Sequence, residues 1–101
     1  MFQEITVIGY VGREPNVNTT PAGKDVANFS IAANERYGEN EKTTWFQVVA
    51  WNGLAQVVAA HVNKGKRLMV KGTVQIRTWQ DNEGQTRADM EITANTIRFL
   101  D

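Results

Sequence analysis

The 101-residue sequence predicts an all-β fold with one short helix, arranged as a small five-stranded barrel. Two observations carry this. Apolar and polar residues alternate with period two over most of the chain, and a single segment with helical spacing falls between a third and a fourth alternating run. The length fits one domain over residues 1–101. A composition 42% hydrophobic and 22% charged is that of a globular chain rather than a disordered one.

The first strand is Ile5-Thr6-Val7-Ile8-Gly9-Tyr10-Val11, β-branched and aromatic, and it ends at the break Gly12-Arg13-Glu14-Pro15. Gly9 and Gly12 are expected to permit a sharp bend or close packing against a neighbouring chain. Phe29, Ile31 and Ala33 alternate with polar residues in a half-buried second strand that ends before Gly38, and the polar stretch 35–40 is read as the loop to the third strand. The third strand covers residues 43–51, with Phe46, Val48 and Ala50 on one side and Trp45, Gln47, Val49 and Trp51 on the other. The helix follows at residues 54–62, with Asn52 expected as its N-cap and Gly65 as its C-terminal glycine. A long fourth strand, residues 66–79, sets Leu68, Val70, Val74 and Ile76 against Met69, Lys71, Thr73, Gln75, Arg77 and Trp79. Gly72 marks a bulge or bend inside it. Asp81-Asn82-Glu83-Gly84 turns the chain into a fifth strand, residues 87–100. This order is that of the OB-fold, a closed or partly open five-stranded Greek-key barrel.

Charge is segregated along the chain. Residues 1–41 and 81–101 each carry a net charge of −3, while residues 42–80 hold six Lys and Arg and no acid. The total is zero, which excludes a globally basic nucleic-acid binder but leaves room for a basic patch. The absence of cysteine and the single histidine, His61, exclude disulfides, thiolate nucleophiles and Cys- or His-rich metal sites, so no cofactor or metal is expected. No apolar stretch is long enough to span a bilayer, and the start lacks the basic and apolar runs of a secretion signal. A soluble cytoplasmic location is the expectation.

Catalysis has little support. Ser30, the only serine, lies in a strand without an elbow motif, and His61 sits in the apolar helix. The pairs Asp89/Glu91 and Glu39/Glu41 read as solvated carboxylates, and Gly9-Tyr10-Val11-Gly12 precedes no helix. No catalytic residue is assigned.

The aromatic residues point elsewhere. Trp45, Trp51 and Trp79 all fall opposite the aliphatic stripe of their strands, with Lys71 and Arg77 beside them in sequence, and Tyr37 lies in the polar loop. A tryptophan also buries well in a small core, so for each ring alone core and surface are equally open. Two strands with the same offset favour the surface. Exposed rings among cations suit unpaired nucleotides, because every base has a face to stack and every phosphate needs a counter-charge.

The residues carry a family resemblance over essentially the whole chain. Val7-Ile8-Gly9-Tyr10-Val11-Gly12-Arg13-Glu14-Pro15, Val26-Ala27-Asn28-Phe29-Ser30-Ile31-Ala32, Thr44-Trp45-Phe46-Gln47 with Val49, Leu54-Ala55-Gln56-Val57, Lys64-Gly65, Lys71-Gly72 and Arg77-Thr78-Trp79-Gln80-Asp81 resemble, in order and spacing, the bacterial single-stranded DNA-binding protein family. The resemblance implies an OB-fold that assembles as a homotetramer and coats single-stranded DNA, without sequence preference, in replication, recombination and repair. It matches the family's stacking aromatics to Tyr37, Trp45, Trp51 and Trp79, and its cationic positions to Lys64, Arg77 and Arg87. Lys71 joins these as a phosphate-holding candidate. The sequence departs from the family at Gln47, where an arginine is frequent, at Gly53, where a lysine is frequent, and at Phe46, where members carry an interface histidine. The family's linker and acidic tip have no counterpart within the sequence, so tail-mediated recruitment of other proteins is not expected. Two alternatives stay open: a dimeric, PriB-like primosomal OB protein working through protein contacts, and an interaction domain whose tryptophans form an interface core.

Overall fold

A computed structural model describes residues 2–100; Met1 and Asp101, the ends of the expected domain, lie outside the described residues. The elements run β1 (Ile5–Val11), β2 (Asn16–Thr19), β3 (Asp25–Tyr37), β4 (Asn40–Trp51), α1 (Gly53–His61), β5 (Arg67–Gln80) and β6 (Thr86–Phe99). Five strands close a ring. β1 pairs with β5, β5 with β6, β6 with β4 in parallel, β4 with β3, and β3 returns to β1 through Tyr10↔Ala32 and Val11↔Ile31. Closure leaves no open edge around the ring, and it gives the OB-fold connectivity that the element order predicts.

The alternating stripes explain the barrel interior. Val7 and Val11 of β1, Phe29 and Ile31 of β3, Phe46 and Val48 of β4, Leu68 and Val70 of β5, and Ile92 and Ile97 of β6 meet in one buried cluster. Burying side chains of this size contributes about 1.5–3 kcal/mol each relative to exposure, which makes this cluster the main stabilising element. Helix α1 closes one end by burying Ala55 and Val58, with Val62 just beyond it. Val57, Ala60 and His61 of the expected apolar helix face are instead exposed; His61 meets Phe99 edge-on at 6.1 Å.

Several local expectations change. Asn52 holds the N-cap position, but its side chain makes no capping hydrogen bond; it turns the chain from strand to helix at φ 56°. With ψ at −124° this conformation lies outside the left-handed helical well, a strained geometry for a residue with a Cβ. The residue that caps the helix C-terminus is Val62, and Gly65 serves the following turn, where its N–H donates to the carbonyl of Val11 at 2.8 Å. The bulge at Gly72 is present: β5 and β6 shift register between Lys71 and Gly72. A Cβ on Gly72 would lie 2.0 Å from the carbonyl oxygen of Thr93, so the close crossing of the two strands requires glycine.

The strands also run further than the hydrophobic pattern reveals. β3 and β4 pair without interruption from Val26↔Trp51 to Tyr37↔Asn40, leaving only Gly38 and Glu39 between them where a six-residue loop is expected. The outer part of this hairpin and the outer part of β5–β6 extend beyond the packed interior. Ile76, on the inward stripe of β5, is 63% exposed for that reason. β2, a short strand paired with the first part of β3, is not expected from the sequence at all.

Candidate nucleic-acid interface

Strand alternation sets the outward face. On β4 the residues in the outward phase are Trp45, Gln47, Val49 and Trp51, of which Val49 is itself buried; on β5 they are Thr73, Gln75, Arg77 and Trp79; on β6 they are Arg87, Asp89, Glu91 and Thr93. Gln47 stands opposite Glu91 and Glu91 opposite Gln75, so these three strands present one continuous outer surface. The three indoles lie on it, 53% (Trp45), 41% (Trp51) and 44% (Trp79) exposed, and none belongs to the core cluster.

Trp45 is held by its neighbours. The benzenoid end of its indole rests on Gly12, where a Cβ would come within 2.5 Å of the ring and 3.0 Å of the Ser30 hydroxyl. Gly12 is itself fixed by donating its N–H to the carbonyl of Ser30 at 3.0 Å. Glycine at this position is therefore a requirement of contact between the β1–β2 connection and the indole.

Tyr37 stands apart from the tryptophans. Unbroken pairing along β3 and β4 puts it in phase with Ile31 and Ala33, on the opposite face of the hairpin from Trp45, although 61% exposed. Its hydroxyl donates a hydrogen bond to Glu35, and that bond together with the Glu35 charge holds the phenol above its ordinary range.

The cations are less free than the sequence suggests, because the fold lays acidic β6 beside basic β5. Arg77 lies 3.7 Å from Asp89 and 3.6 Å from Glu91; Arg87 lies 3.0 Å from Asp81; Lys71 lies 3.5 Å from Glu4. Asp89 also accepts a hydrogen bond from the Trp79 indole N–H at 2.9 Å. Asp81, at the tip of the β5–β6 hairpin, accepts from the backbone N–H groups of Gln85 and Glu83 and from Arg87, and these bonds hold its carboxyl below the usual range. Of the four expected phosphate-holding cations, only the Lys64 side chain has no acidic partner among the described residues. Such exposed pairs are weak, on the order of 0–1 kcal/mol each, so a phosphate can displace them.

The sequence reading missed a set of polar residues beside Trp45. Arg13, Asn28, Ser30 and Gln47, with Gly12 and the Trp45 ring, line a cleft of about 500 Å³ between the β1–β2 connection and the β3–β4 sheet. Glu14 lies at its edge with its carboxylate engaged, accepting from the backbone N–H of Lys64 at 3.0 Å and from the amide of Asn63 at 3.4 Å. Asn28, Ser30 and Gln47 fall at alternate positions on paired strands, a signal available from the sequence only once the pairing Ser30↔Gln47 is known.

The chain matches the model of the Single-strand binding protein family over residues 2–100. It belongs to that family. Its curated relatives include the single-stranded DNA-binding protein of Rickettsia felis, 38% identical over 98 residues that cover 90% of this chain and 64% of the relative. They also include single-stranded DNA-binding protein 1 of Chlorobaculum tepidum, 30% identical over 105 residues that cover 98% of this chain and 65% of that protein. The chain thus spans a little under two thirds of the length of these family members. Among solved structures it is similar to the Plasmodium falciparum SSB complex with ssDNA, with a TM-score of 0.87 and 31% identity, covering 100% of this chain and 96% of that one.

Proposed function

We propose that this chain binds single-stranded DNA without sequence preference and coats it during replication, recombination and repair, as a cytoplasmic binding protein rather than an enzyme. In this reading Trp45, Trp51 and Trp79 stack bases on the outer sheet, and Tyr37 adds a ring from the hairpin arm. Lys64, Lys71, Arg77 and Arg87 neutralise phosphates, the last three by exchanging a carboxylate for a phosphate oxygen. The observation that carries the reading is the exposure of three indoles on one continuous outer surface. A duplex hides its base faces and gains nothing from such rings, whereas each stacked base of a single strand contributes about 1–3 kcal/mol. Membership of the family and the printed names of the relatives support the same substrate. The expected assembly is a homotetramer, with a dimer as the alternative.

Titration of the intrinsic tryptophan fluorescence with oligo-dT tests the proposal. Strong quenching that salt reverses, with none from a duplex of the same length, is the expected result. Unchanged fluorescence at micromolar protein and low salt favours the interaction-domain reading instead. Light scattering on the same samples separates tetramer from dimer.

A further inference from the structure

The cleft beside Trp45 brings the uncharged polar side chains Asn28, Ser30 and Gln47 together with one indole and one arginine. Its volume of about 500 Å³ lies within the range of small-ligand pockets. One wall is the indole of Trp45, immobilised over Gly12. Opposite strands contribute Ser30 and Gln47 as a directly facing pair, and Asn28 lies two residues before Ser30 on the same outward stripe. The side chains of Asn28, Ser30 and Gln47 make no hydrogen bond to any described residue, so their donors and acceptors are open to a ligand. Arg13 stands at the rim without an acidic partner among the described residues, because the adjacent Glu14 is committed to Lys64 and Asn63.

We propose that this cleft binds the edge of one base: the ring stacks on Trp45, its Watson–Crick edge hydrogen-bonds to Gln47 with Ser30 and Asn28 as further partners, and the attached phosphate meets Arg13. This deepens the single-strand reading and rests on it. An amide offers a donor beside an acceptor, and rotation about its terminal bond reverses their order. Every nucleobase presents an adjacent donor and acceptor on its Watson–Crick edge, so Gln47 complements all four, and the Ser30 hydroxyl reorients to follow. The cleft therefore registers that an unpaired edge is present without selecting which base carries it. That separates it from a purely stacking site, which is indifferent to the edge.

The test compares oligo-dT with an oligo of the same length whose thymines are methylated at the ring nitrogen of the Watson–Crick edge. Methylation removes the edge donor and leaves the stacking face. Wild-type protein is expected to bind the methylated strand about 3–10-fold more weakly, the loss of about one hydrogen bond. Gln47→Leu is expected to bind plain oligo-dT with a similar loss and to become insensitive to methylation. Arg13→Ala is expected to make the salt dependence shallower by about 0.7 in log–log slope, one phosphate contact on a single strand. Equal binding of both strands by the wild type overturns the cleft assignment while leaving the stacking surface intact. Failure of the wild type to bind plain oligo-dT overturns instead the single-strand reading beneath it. Because the methylation arm uses unaltered protein, the outcome does not depend on whether Gln47→Leu folds.

Discussion

The two ends of the outer surface carry the same residue types in different electrostatic states. At the Trp45 end, Arg13 and Lys64 stand without acidic partners among the described residues, and the nearby Glu14 spends its carboxylate on a backbone N–H and an amide. At the Trp79 end, Arg77 lies between Asp89 and Glu91, Arg87 is bound to Asp81, and the indole itself is tied to Asp89. Under the proposed function, a ring beside cations that have no acidic partner among the described residues meets an anionic strand directly, whereas a ring beside paired cations must first trade a carboxylate for a phosphate. The difference teaches that a count of aromatics and cations does not measure an interface. The acids brought in by the neighbouring strand decide how much of the positive charge faces the ligand.

The largest expected effect comes from removing, one at a time, the rings proposed to stack bases. Trp45→Ala should weaken oligo-dT binding by about 1–3 kcal/mol, with only a small drop in the thermal transition because the ring packs on Gly12 but lies outside the core. Trp79→Ala should fall at the low end of that range, about 1 kcal/mol, since the cation beside this ring, Arg77, is already paired with carboxylates. Equal losses at both positions break the comparison, and a collapse of the thermal transition in Trp45→Ala shows that the ring was structural.

A smaller change of opposite sign should follow from Asp89→Asn. The amide keeps an acceptor for the Trp79 indole but releases Arg77 from one of its two carboxylates. Affinity for oligo-dT should rise by about 0.2–1 kcal/mol at low salt, and its salt dependence should steepen. Weaker binding would mean that Asp89 positions Trp79 more than it competes with phosphate. Titration curves at several salt concentrations separate the two.

The smallest effect is local and pH-dependent. Asp81 has its carboxyl pKa lowered in the folded chain, so its hydrogen bonds stabilise the hairpin tip above the ordinary carboxylate range. That contribution is lost as pH falls through the lowered value, when the carboxyl binds a proton and releases Arg87. The amide protons of Glu83 and Gln85 should report this together by NMR, shifting upfield in acid and not moving near neutrality. Asp81→Asn should abolish the shared titration; amides that titrate unchanged in that variant assign the transition to another carboxylate.

Much of the fold is legible because one face of each barrel strand is buried. Phe29, Ile31, Phe46, Val48, Leu68 and Val70 fall at alternate positions for that reason, and the same parity turns Trp45, Trp51 and Trp79 outward. Where burial ends, the signal ends. All four residues of β2 are exposed, so Asn16-Val17-Asn18-Thr19 carries no stripe and is held by pairing with β3 alone. Residues 34–37 and 40–43 are polar on both faces of the hairpin arm, which hides Tyr37 in an apparent loop and conceals which way it faces. The ion pairs are illegible for another reason. Glu4 reaches Lys71, and Asp89 reaches Arg77, only through strand registers that no local pattern encodes. The segregation of charge along the sequence is thus largely undone in space.

The most direct test of the central claim uses protein labelled with fluorotryptophan, which gives one fluorine resonance for each of its three indoles. On addition of oligo-dT, the claim that these rings stack unpaired bases predicts that all three resonances move, that the one lost in Trp45→Phe moves furthest, and that duplex DNA moves none. Tight binding of oligo-dT with the three resonances unmoved would contradict it.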